Sequence, residues 1–374
     1  MLAASLRAGG RFAGSLNLAA GYDDSILQDA TAVGGPFVSQ ALDLGFKGRA
    51  FRNLTASLAG HASNLNPPSV PSQNLVEADV QANLAWRFFD CLSPLLETSA
   101  QNFNGPQASN LDFNSIDYAG GLRIEFPTQA RVEALAQNSD QRFPNTDLDH
   151  QDQGGEARLD WDLPANLRLK GRVQRTDRRY SKRHGYLLPT TLGNPPTALR
   201  QDLDIHWDTS LTWERDEAAV RLLARSRRLE SNGDQLDYGP GQNAYFDLSF
   251  PLGPPGQFRH DDTVIANYFS QQTFGGELSA WKQWGAWNLA GHASLDDIQF
   301  LGRFAKGADD NFLPGNPLRH DQVIKSGLEL SCFFNFMGLD WESQLAWTHW
   351  QALSNDSLYF YQRNLTQGSL SLLF

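Results

Sequence analysis

Apolar and polar side chains alternate along almost the whole chain. The clearest stretch is residues 76–88, where Val, Ala, Leu, Trp and Phe occupy every second position and Glu77, Asp79, Gln81 and Asn83 lie between them. Successive side chains of a β-strand point to opposite faces of the sheet, so this pattern predicts a strand with one apolar and one polar face.

The same alternation recurs from one end of the chain to the other. Helical spacing of apolar residues is scarcely visible, so we expect an all-β protein. The further two-faced runs lie at residues 11–22, 42–46, 116–124, 157–163, 205–213, 324–334 and 366–374.

The connections between the predicted strands alternate in length. Tight joints fall near residues 51–53, 89–93, 127–129, 164–166, 214–218, 284–286 and 337–340. Longer polar segments rich in Pro and Gly fall at 23–36, 63–73, 104–111, 141–154, 178–199, 231–262, 298–321 and 351–356. This alternation predicts an up-and-down antiparallel β-barrel of about sixteen strands, with both termini at the end that carries the short turns.

Large aromatic residues gather beside the tight joints. In a transmembrane barrel they would form a girdle at the membrane interface, whereas a soluble β-sandwich would pack them in its core. A propeller is disfavoured because the distance between turns drifts and no blade motif recurs. The predicted girdle residues are Trp86, Phe88, Phe89, Phe126, Trp161, Trp213, Trp281, Trp284, Trp287, Phe334, Phe336 and Trp341.

Composition excludes several classes of protein. No segment reaches the roughly 18 consecutive apolar residues of a membrane helix. The mean hydropathy of -0.44 still fits a transmembrane barrel, in which only alternate residues face lipid. The net charge of -11 argues against nucleic-acid binding through phosphate attraction. Cys91 and Cys332 lack the spacing of a zinc or haem site, so we expect neither metal nor cofactor.

The last residues, TQGSLSLLF, keep the strand alternation up to Phe374. A chain end of this kind is expected to be held by a partner, and the run at 11–22 is the natural one. Pairing of the last strand with the first would leave a barrel without a free edge. We therefore predict an N-terminal lead-in at 1–10 and a single transmembrane barrel domain at 11–374. The first residues show no intact signal peptide.

Two short features resemble those of outer-membrane barrels. The stretch GYDDSIL, residues 21–27, resembles the end of the first strand in the β-barrel porin families encoded near bacterial exopolysaccharide-export genes, with Ser25 where Asn is usual. Phe374 resembles the aromatic C-terminal residue by which the barrel-assembly machinery recognises outer-membrane barrels. The resemblance implies a Gram-negative outer-membrane protein with short periplasmic turns, long extracellular loops, and lipid, lipopolysaccharide and the assembly machinery as partners.

If the apolar face meets lipid, the polar face lines a lumen. Opposite charges on neighbouring strands attract one another, so their simplest role is structural. Alternatively they set up a transverse field or an anion-attracting stripe, since a barrel of about sixteen strands is wide enough for an aqueous channel. The predicted pore-lining residues are Glu77, Asp79, Asp160, Arg168, Lys170, Arg172, Asp204, His206, Asp208, Arg221, Arg225 and Arg227.

Two segments near the long connections carry further hypotheses. Residues 231–262 mix aromatic residues with Gly and Pro, and we expect them to constrict the mouth, cap the barrel or contact a partner. The basic run at 172–184 is a solvated surface, or a contact for lipopolysaccharide phosphates or an anionic polymer. Asp23 and Asp24 alone offer too few ligands for calcium.

We predict an outer-membrane channel for the passive passage of small polar solutes or ions. Catalysis is not expected, because His206 and the acids two positions away are about 7 Å apart along one strand. The alternatives are a polysaccharide-export channel and a non-conducting barrel that sheaths or anchors a partner protein such as a cytochrome.

Overall fold

The chain folds almost entirely into β-strands. The computed structural model describes residues 11–24, 34–51, 53–66, 75–89, 91–104, 112–144, 148–184, 199–233, 235–237, 263–265, 269–309 and 311–374. The strands are β1 (Arg11–Asp23), β2 (Gly35–Phe51), β3 (Leu54–Asn66), β4 (Leu75–Trp86), β5 (Leu92–Asn104), β6 (Phe113–Glu125), β7 (Ala130–Arg142), β8 (His150–Leu163), β9 (Leu167–His184), β10 (Leu199–Arg215), β11 (Ala218–Ser231), β12 (Gln235–Asp237), β13 (Thr263–Ile265), β14 (Gln271–Trp284), β15 (Trp287–Phe304), β16 (Leu318–Phe336), β17 (Leu339–Ser354) and β18 (Tyr361–Leu373). A 3₁₀ turn spans Ser357–Tyr359. Within these residues, none of the helical structure has the length and hydropathy that crossing a bilayer requires.

Sixteen strands form one closed antiparallel barrel. Strands β1 to β11 follow one another around the ring, β11 pairs with β14, and β14 to β18 complete it. The short strands β12 and β13 pair with each other as a separate sheet. The predicted up-and-down architecture and strand number are therefore confirmed.

The last strand pairs with the first, as predicted. Gly14 and Phe374 exchange backbone hydrogen bonds of 2.7 and 3.0 Å. The ring of Phe374 lies over Gly14, where any Cβ would collide with it, and its centroid is 6.5 Å from that of Phe12. Backbone pairing and ring packing together hold the end of the chain. The predicted lead-in at 1–10 lies outside the described residues.

The predicted tight joints all lie at one end of the barrel, called here the turn end. They connect β2 to β3, β4 to β5, β6 to β7, β8 to β9, β10 to β11, β14 to β15 and β16 to β17. In the last of them Met337 and Gly338 both have positive φ, 54° and 76°. That is the type I′ combination whose twist matches the flanking strands of a two-residue hairpin.

At the opposite, loop end several strands are longer than predicted. β8 begins at His150, β9 runs to His184 and β15 runs to Phe304, so the prediction of loops over 141–154, 178–199 and 298–321 was partly wrong. Beyond the apolar band both faces of β8 and β9 are polar. The hydrophobic period of two disappears there, although the backbone hydrogen bonds continue.

The barrel buries polar side chains and exposes apolar ones. Leu222 and Leu345 are 57% and 58% exposed, whereas Glu156 and Asp202 are each 4% exposed. This distribution excludes the soluble sandwich, because the alternate apolar residues have no interior in which to pack.

The polar face is the concave, inner face. Arg158 of β8 reaches Glu97 of β5, three strands away, with Nη1 2.9 Å from Oε1. Backbones three strands apart are separated by about 14 Å along the wall, so side chains can meet over that distance only where they converge inside the cylinder.

Candidate functional site

The twelve predicted pore-lining residues all lie on the inner face. Cross-strand pairing links Arg172, Asp208 and Arg225 in one row with Arg158, whose side chain points into the barrel. The remaining predicted residues occupy alternate strand positions on this same face. A role of these residues in conduction remains a prediction.

A dense ion-pair network joins β5 to β9. Arg158 lies 2.9 Å from Glu97, 3.4 Å from Glu133 and 2.6 Å from Glu156. The Nε of Arg172 lies 2.6 Å from the same Glu156, whose side chain is fully buried. A buried carboxylate needs its partners, so this network stiffens the wall. The predicted mutual neutralisation of charges on neighbouring strands is present here.

A second bridge crosses an entire strand. Arg225 of β11 donates two hydrogen bonds, of 2.7 and 2.6 Å, to Asp296 of β15. The intervening strand β14 places Gly275 beneath them, and a Cβ at that position would collide with the Asp296 carboxylate. Gly275 therefore provides the space through which the ion pair passes.

Two inner-face cations of β9 and β11 form no close ion pair among the described residues, although Lys170 lies across from Asp160 of β8. Among the described residues, neither Lys170 nor Arg221 takes part in an ion pair within 4.0 Å. Each therefore keeps a cationic group that can act on the space inside the barrel.

Acidic side chains also lie on the inner face of β2 and β4. Asp43 of β2 accepts a hydrogen bond from His61 at 2.7 Å, and Glu77 of β4 accepts one from Gln101 at 2.7 Å. In the part of the chain that the structure describes, neither acid nor Asp79 pairs with Lys or Arg. β4 and β11 are the fourth and eleventh strands of a ring of sixteen, seven strands apart and nearly opposite. Acids also lie beside β11, since Asp208 of β10 and Glu277 of β14 face the same bore, so both signs of charge are distributed around the inner wall.

A polar cavity of 470 Å³ runs along the wall between β4 and β9. Its lining combines amides and hydroxyls with the Arg158 network, and includes Gln81, Asn83, Glu97, Gln137, Arg158 and Gln174. Such a surface offers many hydrogen bonds to a hydrated solute.

A row of contacting aromatic rings follows the inner face at the loop end, and sequence analysis missed it. Consecutive ring centroids lie 5.4, 5.6, 5.8 and 5.2 Å apart in the series Phe103, Phe113, Phe143, His150 and Tyr180, called here the mouth arc. The guanidinium of Arg200 extends it, 4.8 Å from the Tyr180 ring. The sequence does contain one aromatic ring near the loop end of each of these successive strands. Most of these rings lie in segments that were predicted to be loops.

The predicted aromatic girdle lies beside the turn end, with one correction. Trp86, Phe88, Trp284 and Trp287 are exposed on the outer side. Trp281 instead pairs with Ala219 and Ala290 on the inner face, so its assignment to the girdle was wrong. It lies three positions from Trp284, and an odd spacing in a strand places two side chains on opposite faces.

The GYDD stretch forms a clasp between the first and last strands. Asp23 accepts hydrogen bonds from Arg363 Nε at 3.0 and 2.9 Å. Asp24 accepts one of 2.7 Å from the Asn364 side-chain amide. At Gly21 a Cβ would collide with the β18 backbone, so glycine allows the strands to approach closely. Both acids therefore have structural partners, and residues 25–27 of the stretch lie outside the described residues.

The other long segments have mixed outcomes. The basic run 172–184 is part of β9 and alternates between the two faces instead of entering a loop. The prediction for 231–262 falls largely outside the described residues.

No catalytic or metal-binding arrangement is present among the described residues. The Nε2 of His206 lies 3.3 Å from Asp208, and no hydrogen bond joins this ring to the buried Ser210 in that part of the chain. No group of three His, Cys, Asp or Glu residues there could hold a metal ion.

The sequence matches no protein family and no curated protein. Among solved structures, a bacterial polysaccharide outer membrane secretin is 11% identical with a TM-score of 0.44, over 96% of this chain and 97% of that one. OccK8 (OprE) of Pseudomonas aeruginosa is 11% identical with a TM-score of 0.47, over 97% and 98%. In-vitro folded OmpT of Vibrio cholerae is 8% identical with a TM-score of 0.48, over 100% of both chains. Similarity at this level concerns the barrel fold alone, and the exopolysaccharide resemblance remains a prediction.

Proposed function

We propose that the chain is an outer-membrane channel through which small polar solutes or ions pass passively. The observation that carries this proposal is the combination of an apolar exterior and a charged inner wall in one closed barrel. Lipid tails solvate the outside, and a hydrated bore accounts for the unpaired Lys170 and Arg221.

The dimensions of the exterior support membrane insertion. Tyr118 on β6 and Phe126 at its turn end are exposed on the same face. Their eight-residue separation is about 27 Å along the strand, or about 21 Å along an axis tilted by about 40°. This is close to the apolar band of about 25 Å in outer-membrane barrels. We place the turn end in the periplasm and the loop end outside the cell.

The charged wall supports a selective channel more than an inert cylinder. Acidic and basic side chains that face the bore create a local field, which orients dipolar solutes and discriminates between ions of opposite sign. The ion pairs around Arg158 and Arg225 hold the walls in place while Lys170 and Arg221 supply the field.

Planar-bilayer recording of the purified, folded chain tests the proposal. We expect large, steady conductance steps and a non-zero reversal potential in a salt gradient. Protein that shows the heat-dependent mobility of a folded barrel on gels but never conducts would instead be a sheathing or anchoring barrel, and the channel proposal would be rejected.

The second candidate is a polysaccharide-export channel, favoured by the mouth arc and the amide-lined cavity. Flat ring faces and amides are the groups on which sugar rings stack and hydrogen-bond. Maltohexaose added to the loop end should then produce concentration-dependent current block that Phe113→Ala weakens and Phe88→Ala at the turn end leaves unchanged. Absence of block supports general diffusion.

A further inference from the structure

On the outer face of β9 to β11, apolar side chains give way to charged side chains near the loop end. Val173, Trp207, Ser226 and Phe274 are cross-strand neighbours in one row. Val173 is 54%, Trp207 41% and Phe274 47% exposed, so the row is an apolar and aromatic surface. Aromatic rows of this kind mark the level of lipid headgroups.

Two arginines lie immediately beyond that row. Arg175 of β9 and Arg228 of β11 are both cross-strand partners of Ile205 on β10. They sit two positions further along their strands than Val173 and Ser226, about 7 Å closer to the loop end. Their side chains are 64% and 57% exposed, and their backbones are separated by two strand spacings, about 10 Å.

The ion pairs of these arginines leave them able to bind a ligand. Arg175 lies 3.5 Å from Asp177 and Arg228 2.6 Å from Glu230, each an acid two positions along the same strand. Exposed pairs of this kind contribute about 0 to 1 kcal/mol. A guanidinium has five N–H donors, so a phosphate can engage it while the carboxylate stays nearby.

The rest of the exterior at this depth is uncharged in most strands that the structure describes. The first polar side chains beyond the apolar band are mainly amides. They are Asn64, Asn102, Asn114, Asn138, Gln153, Gln272 and Asn364. Asn102 and Asn114 hydrogen-bond each other at 2.6 Å. The arginine pair therefore marks one sector of this collar, whose other charged groups include Asp297 of β15 and the Asp140–Arg142 pair of β7.

We propose that this sector binds the phosphate groups of lipid A, the phosphorylated and acylated glycolipid of the outer leaflet. Arg175 and Arg228 bind the phosphates, while Ile205 and Trp207 contact the upper parts of acyl chains. The combination of paired guanidinium groups and adjoining apolar surface at headgroup depth is complementary to such an amphiphile. This assignment rests on the proposed outer-membrane location and orientation, but not on conduction.

Native mass spectrometry of the full chain in detergent tests the site. The probes are hexa-acylated bisphosphoryl lipid A, its monophosphoryl form and phosphatidylglycerol. We expect selective binding of the bisphosphoryl form, weakened about tenfold for each guanidinium group that the double variant Arg175→Gln/Arg228→Gln removes. The matched control, Arg87→Gln/Arg215→Gln, removes two exposed, ion-paired arginines from the turn end and should bind as the unsubstituted chain does.

The controls separate this proposal from the channel proposal. Equal binding by the Arg175→Gln/Arg228→Gln variant, or equal binding of phosphatidylglycerol, would mean that the sector is only a solvated surface and would overturn the assignment. Conductance is recorded on the same preparations. Current without lipid A selectivity rejects the site alone, whereas lipid A selectivity without current rejects the channel alone.

Discussion

Arg363 on the last strand of the barrel holds Asp23 on the first, with its Nε 3.0 and 2.9 Å from the two carboxylate oxygens. The pair is largely buried, with side chains 17% and 5% exposed. The indole of Trp350 lies 4.7 Å from the guanidinium carbon and covers it. Backbone pairing at Phe374 secures the turn end of the same seam, so both ends of the closing strand pair are fastened.

Breaking this clasp should weaken the seam. Asp23→Ala leaves the Arg363 guanidinium buried without its carboxylate, and loss of one partner of a buried ion pair costs about 3–5 kcal/mol. We expect the heat-induced mobility shift on gels to occur at a clearly lower temperature, and Arg363→Gln to act in the same direction. The exposed neighbour Tyr22 provides the control, Tyr22→Phe. Melting of Asp23→Ala at the control's temperature would contradict a structural role for the acid.

Loss of inner-face arginines should move ion selectivity towards cations. Arg221→Ser and Arg225→Ser each remove one positive charge from the wall opposite the acidic strands, and the second also leaves Asp296 without its partner. The measurement is the reversal potential in a planar bilayer under a salt gradient. Arg142→Gln removes the same charge from the outer face of β7 and should leave the potential unchanged. An equal shift in all three variants would show that only net charge matters.

Gly275 should tolerate no side chain. In Gly275→Ala the new Cβ collides with Asp296 and lies 3.0 Å from Arg225 Nε, so the bridge across β14 must separate or the strand must shift. We expect a loss of about 1–3 kcal/mol of stability, measured by denaturant unfolding in detergent. Gly45→Ala is the matched control, since its Cβ would meet Ala13 O at an ordinary 3.7 Å. Equal stability of the two variants would refute the spacing role of Gly275.

Asp149, in the connection between β7 and β8, makes that connection sensitive to acid. Partial burial alone would raise the pKa of Asp149, but hydrogen bonds from Lys182 Nζ at 2.8 Å and the Phe143 backbone N–H at 2.7 Å hold it below the ordinary 3.8. A depressed pKa stabilises the folded connection above the ordinary value, and this stabilisation is lost as the pH falls through the folded-state pKa.

Amide exchange of Phe143, corrected for its intrinsic rate, measures this loss. Protection should hold near neutral pH and fall once the Asp149 carboxylate is protonated. Lys182→Gln brings the carboxyl pKa closer to 3.8, so protection should begin to fall at a higher pH than in the unsubstituted chain. Asp149→Asn should make protection independent of pH, and an unchanged profile in that variant would exclude the carboxylate as the titrating group.

Trp281 and the mouth arc show two different limits of prediction from sequence. The inner-face position of Trp281 could have been predicted from the sequence, because Trp281 lies an odd number of residues from the outward-facing Trp284 on the same strand. It was assigned to the girdle only because it lies close to a turn. The mouth arc could not be predicted from the positions of residues along one strand. Phe103, Phe143 and Tyr180 are distant in sequence, and they belong to one row only because consecutive antiparallel strands bring their ends to the same rim.

Local sequence pattern was sufficient to predict most of the strands, their two faces, their number and the end with the short turns, because a period of two and turn chemistry are local properties of the chain. The contacts of Arg158 with Glu97, of Arg225 across Gly275 with Asp296, and the position of Arg175 and Arg228 on either side of Ile205 became visible only in the folded barrel. These contacts depend on the register between strands and on the curvature of a closed wall. Neither quantity is encoded in any one strand, because both arise from the pairing of all sixteen.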